Sequence, residues 1–421
     1  MIMIPLLIHC ISAHVATENA RLLQAQIIIR NAERAPMYEF TSSESAKLFP
    51  RGLGEITDEG IRHAKHQGAA FRRHYEELGL LSEKTKSNEI YIRISPLRRV
   101  RMSATAFASS IIGTQKVQLP RIYTTANENA EKVLVVHDST SYRCEVLARH
   151  NISDGPLCRS ELLKAEIVKE YPECASFPYA KIEAAIAEIE HPAVKIDSAL
   201  ARCARGEGRK IQFRTLSIRP GVADEFDSSR AHDVIGPLMS IVSKNVDDAV
   251  KADTIEGART GPVLRVYYTH DHNILGVAQA LGIIGEFGGR NPEFSSAIVI
   301  ETWSSTDGFD IKIVMKDGLD APFKPVAKFR FLDFKKRISS YTEGDQDDVQ
   351  WDEQVKKRYP FSQFGRDARY GESTTAPVVP RVRPAKKDSK SLTFEILVVF
   401  GMLIAVIVLL LRRRNAYTRM Y

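Results

Sequence analysis

Residues 27–29 are an apolar β-branched run that stops abruptly at Arg30, with Arg34 four residues later and Pro36 closing the turn. That pattern predicts a buried strand delivering two guanidiniums at its carboxyl end. Residues 40–54 read as loop. Thr57 then caps a helix with Asp58 and Glu59 in its first turn, where the helix dipole favours acids. Ile61, Ala64, Gly68, Phe71, Tyr75 and Leu78 follow at helical spacing, and Gly79 ends the helix. Residues 89–94 predict a short strand with Arg93 near its end, and 98–112 a helix. Residues 133–136 predict another strand.

From about residue 126 to 230 the pattern turns mainly helical, with helices expected over 160–171 and 179–189, then 231–251 beyond it. The strand over 263–269 runs directly into His270 and Asp271, followed by a helix over 274–281. Residues 296–303 predict a further strand, with 311–315 as its antiparallel partner. Alternating strands and helices predict an α/β fold, a mostly parallel central sheet flanked by helices, with a smaller helical domain inserted at about 126–230.

The ends of the chain change the picture. Residues 1–16 fit a cleaved signal peptide. Residues 392–411 approach the length of a membrane-crossing helix and precede Arg412, Arg413 and Arg414. The expected organisation is a luminal or extracellular domain over 17–340, a polar Pro-containing stalk over 341–391, the span, and a cytoplasmic tail over 412–421. That organisation predicts a single-pass type I membrane protein of lysosome, endosome or plasma membrane. Tyr417 and Met420 in the tail match the spacing of a sorting signal for an endocytic adaptor.

The net charge of +7 resides at residues 376–391 and in the tail, leaving residues 1–375 neutral, so nothing in it points to nucleic acid. Removal of the leader would leave Cys144, Cys158, Cys174 and Cys203, which allow three pairings into two bridges. Asn151 heads the sequon Asn151-Ile152-Ser153, a glycosylation acceptor in an exported chain.

Three strand ends carry charge: Arg30 with Arg34, Arg93, and His270-Asp271. A parallel sheet gathers them at one edge, where open α/β sheets bind ligands, and a fixed fork of arginine donors matches an oxyanion. Four blocks carry a resemblance. They are Arg30-Asn31-Ala32-Glu33-Arg34-Ala35-Pro36, then Phe49 to Gly60, then Arg93 with Arg99-Val100-Arg101-Met102-Ser103-Ala104, and finally His270-Asp271. In this order the chain resembles the histidine acid phosphatases of high molecular weight, a family with a phosphoglycerate-mutase-like fold.

The resemblance implies a phosphate clamp of Arg30, Arg34, Arg93 and His270, with Asp271 as proton donor and no cofactor. It leaves a homodimer open. The family's nucleophilic histidine follows the first arginine, and here that position is Asn31. An amide nitrogen has its lone pair delocalised into the carbonyl and cannot displace an alkoxide from phosphorus as imidazole does. Ala32 stands where the family has glycine, and His272 and Asn273 where it has hydroxyl residues. The expectation is therefore a chain that binds phosphate or phosphomonoesters with lost or greatly reduced turnover. The alternative is an acid phosphatase still working through bound water or a substitute such as His272. A bare adhesion or sorting scaffold is disfavoured, because buried arginines kept without a ligand repel one another.

Overall fold

The computed structural model describes residues 20–113, 119–135, 160–189, 191, 193–217, 228–255 and 261–342. All belong to one compact unit, residues 1–365. Seven strands form one sheet in the order β3-β2-β4-β1-β5-β6-β7. They are β1 (Arg21–Arg30), β2 (Ile90–Ile94), β3 (Ile122–Tyr123), β4 (Leu264–Thr269), β5 (Ala297–Ser305), β6 (Gly308–Lys316) and β7 (Lys324–Arg330). The pairs β1–β4, β2–β4 and β2–β3 are parallel, and β5, β6 and β7 add antiparallel ladders beside β1.

Alternation along the strands splits the core between the two faces of this sheet. Ile27 and Ile29 of β1, with Val266 and Tyr268 of β4, face α2 (Asp58–Glu77) and α3 (Arg98–Ile111). Ile28, Tyr267, Ile298 and Ile300 face the opposite layer. That layer holds the long helix α8 (Ser228–Ile255), α9 (Asp271–Leu281) and α10 (Phe331–Thr342). Each fully buried aliphatic or aromatic side chain contributes roughly 1.5–3 kcal/mol, so strands buried on both faces fix the register firmly. Thr57 caps α2 as expected, its hydroxyl accepting from Gly60 N.

Between residues 160 and 217 the described residues are mainly helical. They comprise α4 (Ser160–Lys169), α5 (Tyr179–Glu188), α6 (Ser198–Cys203) and α7 (Arg209–Ser217), around a separate apolar cluster. Cys174 and Cys203 form a disulfide inside it. Cys144, Cys158 and Asn151 lie outside the described residues.

Several expectations are corrected. Residues 133–135 form no strand. Val133 and Leu134 are core residues whose backbone amides donate to the buried Glu131 carboxylate, and the strand on this side is β3. Within the expected loop over 40–54 sits the short helix α1 (Ser43–Lys47).

The single-pass membrane partner and the membrane location are also corrected. No helix among the described residues is long and apolar enough to cross a membrane. The longest, α8, has Asp233, Lys244, Asp247, Asp248, Lys251 and Asp253 along its length, a load that hydrocarbon rejects. Residues 392–411, with the leader, residues 343–391 of the stalk and the tail bearing Tyr417 and Met420, lie outside the described residues.

Candidate functional site

The parallel register sets the site. Arg30, the last residue of β1, pairs with Thr269, the last of β4, so Asn31 and His270 emerge side by side at the carboxyl edge. Asn31 N donates to Thr269 O at 3.0 Å. Arg93, next to last in β2, pairs with Tyr267 one strand away.

Beyond Arg30 the chain turns through Asn31 to Pro36, and the block from Phe49 to Gly60 is its brace. Arg34 and Ile56 form an isolated antiparallel bridge. Ala35 N donates to Glu55 O, Gly54 N to Pro36 O and Thr57 N to Glu33 O. A Cβ at Gly60 would lie 2.2 Å from Glu33 O, so only glycine admits this approach. Ser103 on α3 completes the brace, its hydroxyl accepting from Ala32 N at 3.2 Å and donating to Arg99 O.

The structure brings Arg30, Asn31, Arg34, His270 and Asp271 together, all buried. Arg30 Nη2 lies 2.8 Å from Asp271 Oδ2, and Arg30 Nη1 donates to the Pro292 carbonyl. Its Nε is buried and without a hydrogen-bond acceptor among the described residues. Arg34 Nη1 donates to Ala35 O and to Glu183 Oε1, both at 2.9 Å. Arg93 donates to Glu131 Oε1 at 3.0 Å. The Asn31 amide donates to Ala32 O at 2.8 Å. His270 Nε2 is hydrogen-bonded to Ser95 Oγ at 3.0 Å, and the His272 ring lies 5.3 Å from that of His270.

Burial governs the ionisation here. It pushes His270 well below its ordinary range, aided by Arg99 and His272, so this imidazole is neutral. For Asp271 burial alone would raise the carboxyl, but Arg30, His272 and Arg34 outweigh it and hold the group well below the usual carboxylate range. Asp271 is therefore an ionised partner of Arg30. Burial also lowers Arg30, with Asp271 opposing and Arg34 adding to the shift.

Sequence reading missed much of the supporting set. Glu183 comes from α5. Asn291 Nδ2 reaches Asp271 Oδ2 at 3.4 Å and Gln212 Oε1 at 3.3 Å. The Phe294 ring lies beneath Arg30 and Arg34. The first and last come from sequence-distant segments with no motif. Ser95, directly after β2, and Ser103, inside the third block, were the two within reach of a strand-end reading.

Comparisons with known proteins bear on the fold and on the family the chain resembles. The model of the histidine phosphatase superfamily (branch 2) matches residues 21–153, which include the first motif and Arg93. Putative acid phosphatase 1 of Caenorhabditis elegans is 25% identical over 320 residues, 72% of this chain and 73% of the relative. Testicular acid phosphatase of Mus musculus is 36% identical over 89 residues, 20% of each. The apo form of Hafnia alvei phytase shares the fold at 15% identity. Its TM-score is 0.55, and the match covers 78% of this chain and 98% of the phytase. The sheet has that fold and the motif arginines stand at its carboxyl edge, and by these comparisons the chain resembles the histidine phosphatase superfamily (branch 2) over residues 21–153 and is similar in sequence to acid phosphatases.

Proposed function

We propose that the site binds phosphate or a phosphomonoester, and that its phosphatase turnover is lost or greatly reduced. The observation that carries this reading is Asn31. It stands buried between Arg30 and the turn, its amide committed to Ala32 O, with Arg30, Arg34, His270 and Asp271 buried beside it. The orphaned Arg30 Nε supports an anion here, because a buried donor without an acceptor is costly unless a ligand oxygen supplies one. Loss of a covalent nucleophile elsewhere lowers turnover by about 10⁴–10⁶. Asp271 could protonate a leaving oxygen only after the anion draws Arg30 away and raises its carboxyl from the ionised state.

One observation favours the second reading, an acid phosphatase that still hydrolyses phosphomonoesters. His272 Nδ1 lies 3.5 Å from Asp271 Oδ1 in the same buried pocket, within reach of a substitute role. Calorimetric phosphate binding and p-nitrophenyl phosphate hydrolysis by the full chain, across pH 4–7, separate the two. The expected result is phosphate binding that disappears in Arg30→Ala, a silent parent, and hydrolysis gained in Asn31→His. Hydrolysis by the parent that vanishes in Arg30→Ala would establish the second reading, with His272→Gln as the next variant.

A further inference from the structure

Arg30 and Arg34 are two buried cations four residues apart, and their charges repel: Arg34 is among the groups that lower Arg30. Their hydrogen bonds and ion pairs engage the Nη atoms, with Pro292 O and Asp271 for Arg30, Ala35 O and Glu183 for Arg34. What faces both guanidiniums is one aromatic ring. The Arg30 Cζ stands 4.2 Å from the centroid of Phe294 and the Arg34 Cζ 5.6 Å from it. Both lie inside the range at which a ring's negative face attracts a cation.

The loop bearing Phe294 is fixed on either side. Glu293 N donates to Asp317 Oδ1 at 2.9 Å. Ser295 has φ 63°, the one non-glycine residue with positive φ among those described. Such a conformation persists where the surroundings over-determine it. Here Ser295 N donates to Asn31 O at 3.2 Å, and Ser295 O accepts from Gln67 Nε2 at 2.8 Å. The loop is thus tied to the turn that carries both arginines.

We propose that Phe294 is a positioning residue: its ring face holds Arg30 and Arg34 side by side against their repulsion, so that both address a single oxyanion. This rests on the reading of the site as an oxyanion clamp. A ring that served only as apolar cover would be replaceable by any side chain of like volume. A ring acting through its quadrupole would not be.

The test is inorganic phosphate binding by the full chain at pH 6, measured calorimetrically. It compares the parent with Phe294→Leu, Phe294→Tyr and mono-, di- and trifluorinated phenylalanine at position 294, with thermal midpoints as the check on folding. Phe294→Leu should weaken binding by about 10-fold and Phe294→Tyr by less than about 2-fold, with each added fluorine weakening it further. A dissociation constant that stays flat across the fluorine series, or is unchanged in Phe294→Leu, overturns the inference while leaving the clamp standing. A parent that binds no phosphate overturns the clamp reading and this inference together. Should Phe294→Leu fail to fold, the fluorinated series, nearly isosteric with the native ring, decides the question alone.

Discussion

Arg34 and Glu183 are 149 residues apart in sequence and meet as a buried ion pair, Nη1 to Oε1 at 2.9 Å. The other Glu183 oxygen accepts from Met37 N. Five residues on, Glu188 accepts from Thr41 N, and Lys181 of the same helix donates to Phe40 O. Helix α5 therefore grips the segment after the first motif with three side chains. Removing one partner of such a pair strands a buried charge and costs about 3–5 kcal/mol. An anion bound at Arg34 would neutralise that charge. Glu183→Ala should melt lower than the parent and be raised by phosphate more than the parent is. Thermal unfolding with and without phosphate checks this, and an equal shift in both proteins would separate Glu183 from the clamp.

His270 gives the pH dependence of stability. Its folded-state value is depressed by burial, Arg99 and His272, so below about pH 6.5, the ordinary value, the unfolded chain takes up a proton that the folded chain refuses. Stability is then lost as pH falls from about 6.5 towards the folded value, by up to about 1.4 kcal/mol per pH unit. Urea midpoints at pH 7.5, 6 and 5 should fall in that order. In His270→Gln this contribution to the slope should disappear.

Asp271 has the opposite consequence. Burial is outweighed by Arg30, His272 and Arg34, and the carboxyl is held well below its ordinary value. Its pairing with Arg30 is fully present above about pH 4 and is lost only as pH falls through the lower folded value. Asp271→Asn should therefore reduce stability at pH 7 and narrow its gap from the parent under strong acid. A variant equally destabilised at every pH would assign Asp271 a packing role alone.

What the sequence reveals of this molecule follows from range. The run ending at Arg30, the Thr57 cap and the strand entering His270 are written within a few neighbouring positions, and the structure keeps all three. The edge placement of Arg30 and His270 needed only the further rule that strands alternating with helices run parallel. Glu183 and Phe294 were invisible, because each reaches the arginines through the tertiary fold and sits in no motif. Val133 and Leu134 misled in another way: apolar side chains report burial, which a loop held by the Glu131 carboxylate satisfies as well as a strand. Strand β7 escaped notice because its half-exposed, Lys-bearing edge lacks the apolar run that marked β1.

The Cys174–Cys203 bridge closes a 29-residue separation within the helical cluster that contains α5. Loop closure of that length contributes about 3–4 kcal/mol. Because α5 also supplies Glu183, Cys174→Ser should lower stability by about that amount and weaken phosphate binding through Arg34. Chemical denaturation paired with calorimetry checks both effects. A stability loss with unchanged affinity would show that α5 keeps its grip without the bridge.

Gly60 offers the most local test of how the first motif is braced. Its missing Cβ leaves room for the Glu33 carbonyl, which a Cβ would meet at 2.2 Å, and that carbonyl accepts from Thr57 N at the start of α2. The obstacle is backbone, not a side chain that can swing aside, so Gly60→Ala must move either α2 or the turn at Glu33. Helix propensity favours alanine by about 1 kcal/mol, whereas overpacking of this kind costs about 1–3 kcal/mol, so the net effect should be destabilising. Glu33 lies between Arg30 and Arg34, and shifting it parts the two guanidiniums. Gly60→Ala should therefore lose phosphate affinity as well as stability. At Gly79 an added Cβ would meet nothing within 4 Å, and only its φ of 69° opposes alanine, so Gly79→Ala should lose stability alone. Calorimetry on the two variants checks the distinction: equal affinities would mean the turn absorbs the displacement without moving its arginines.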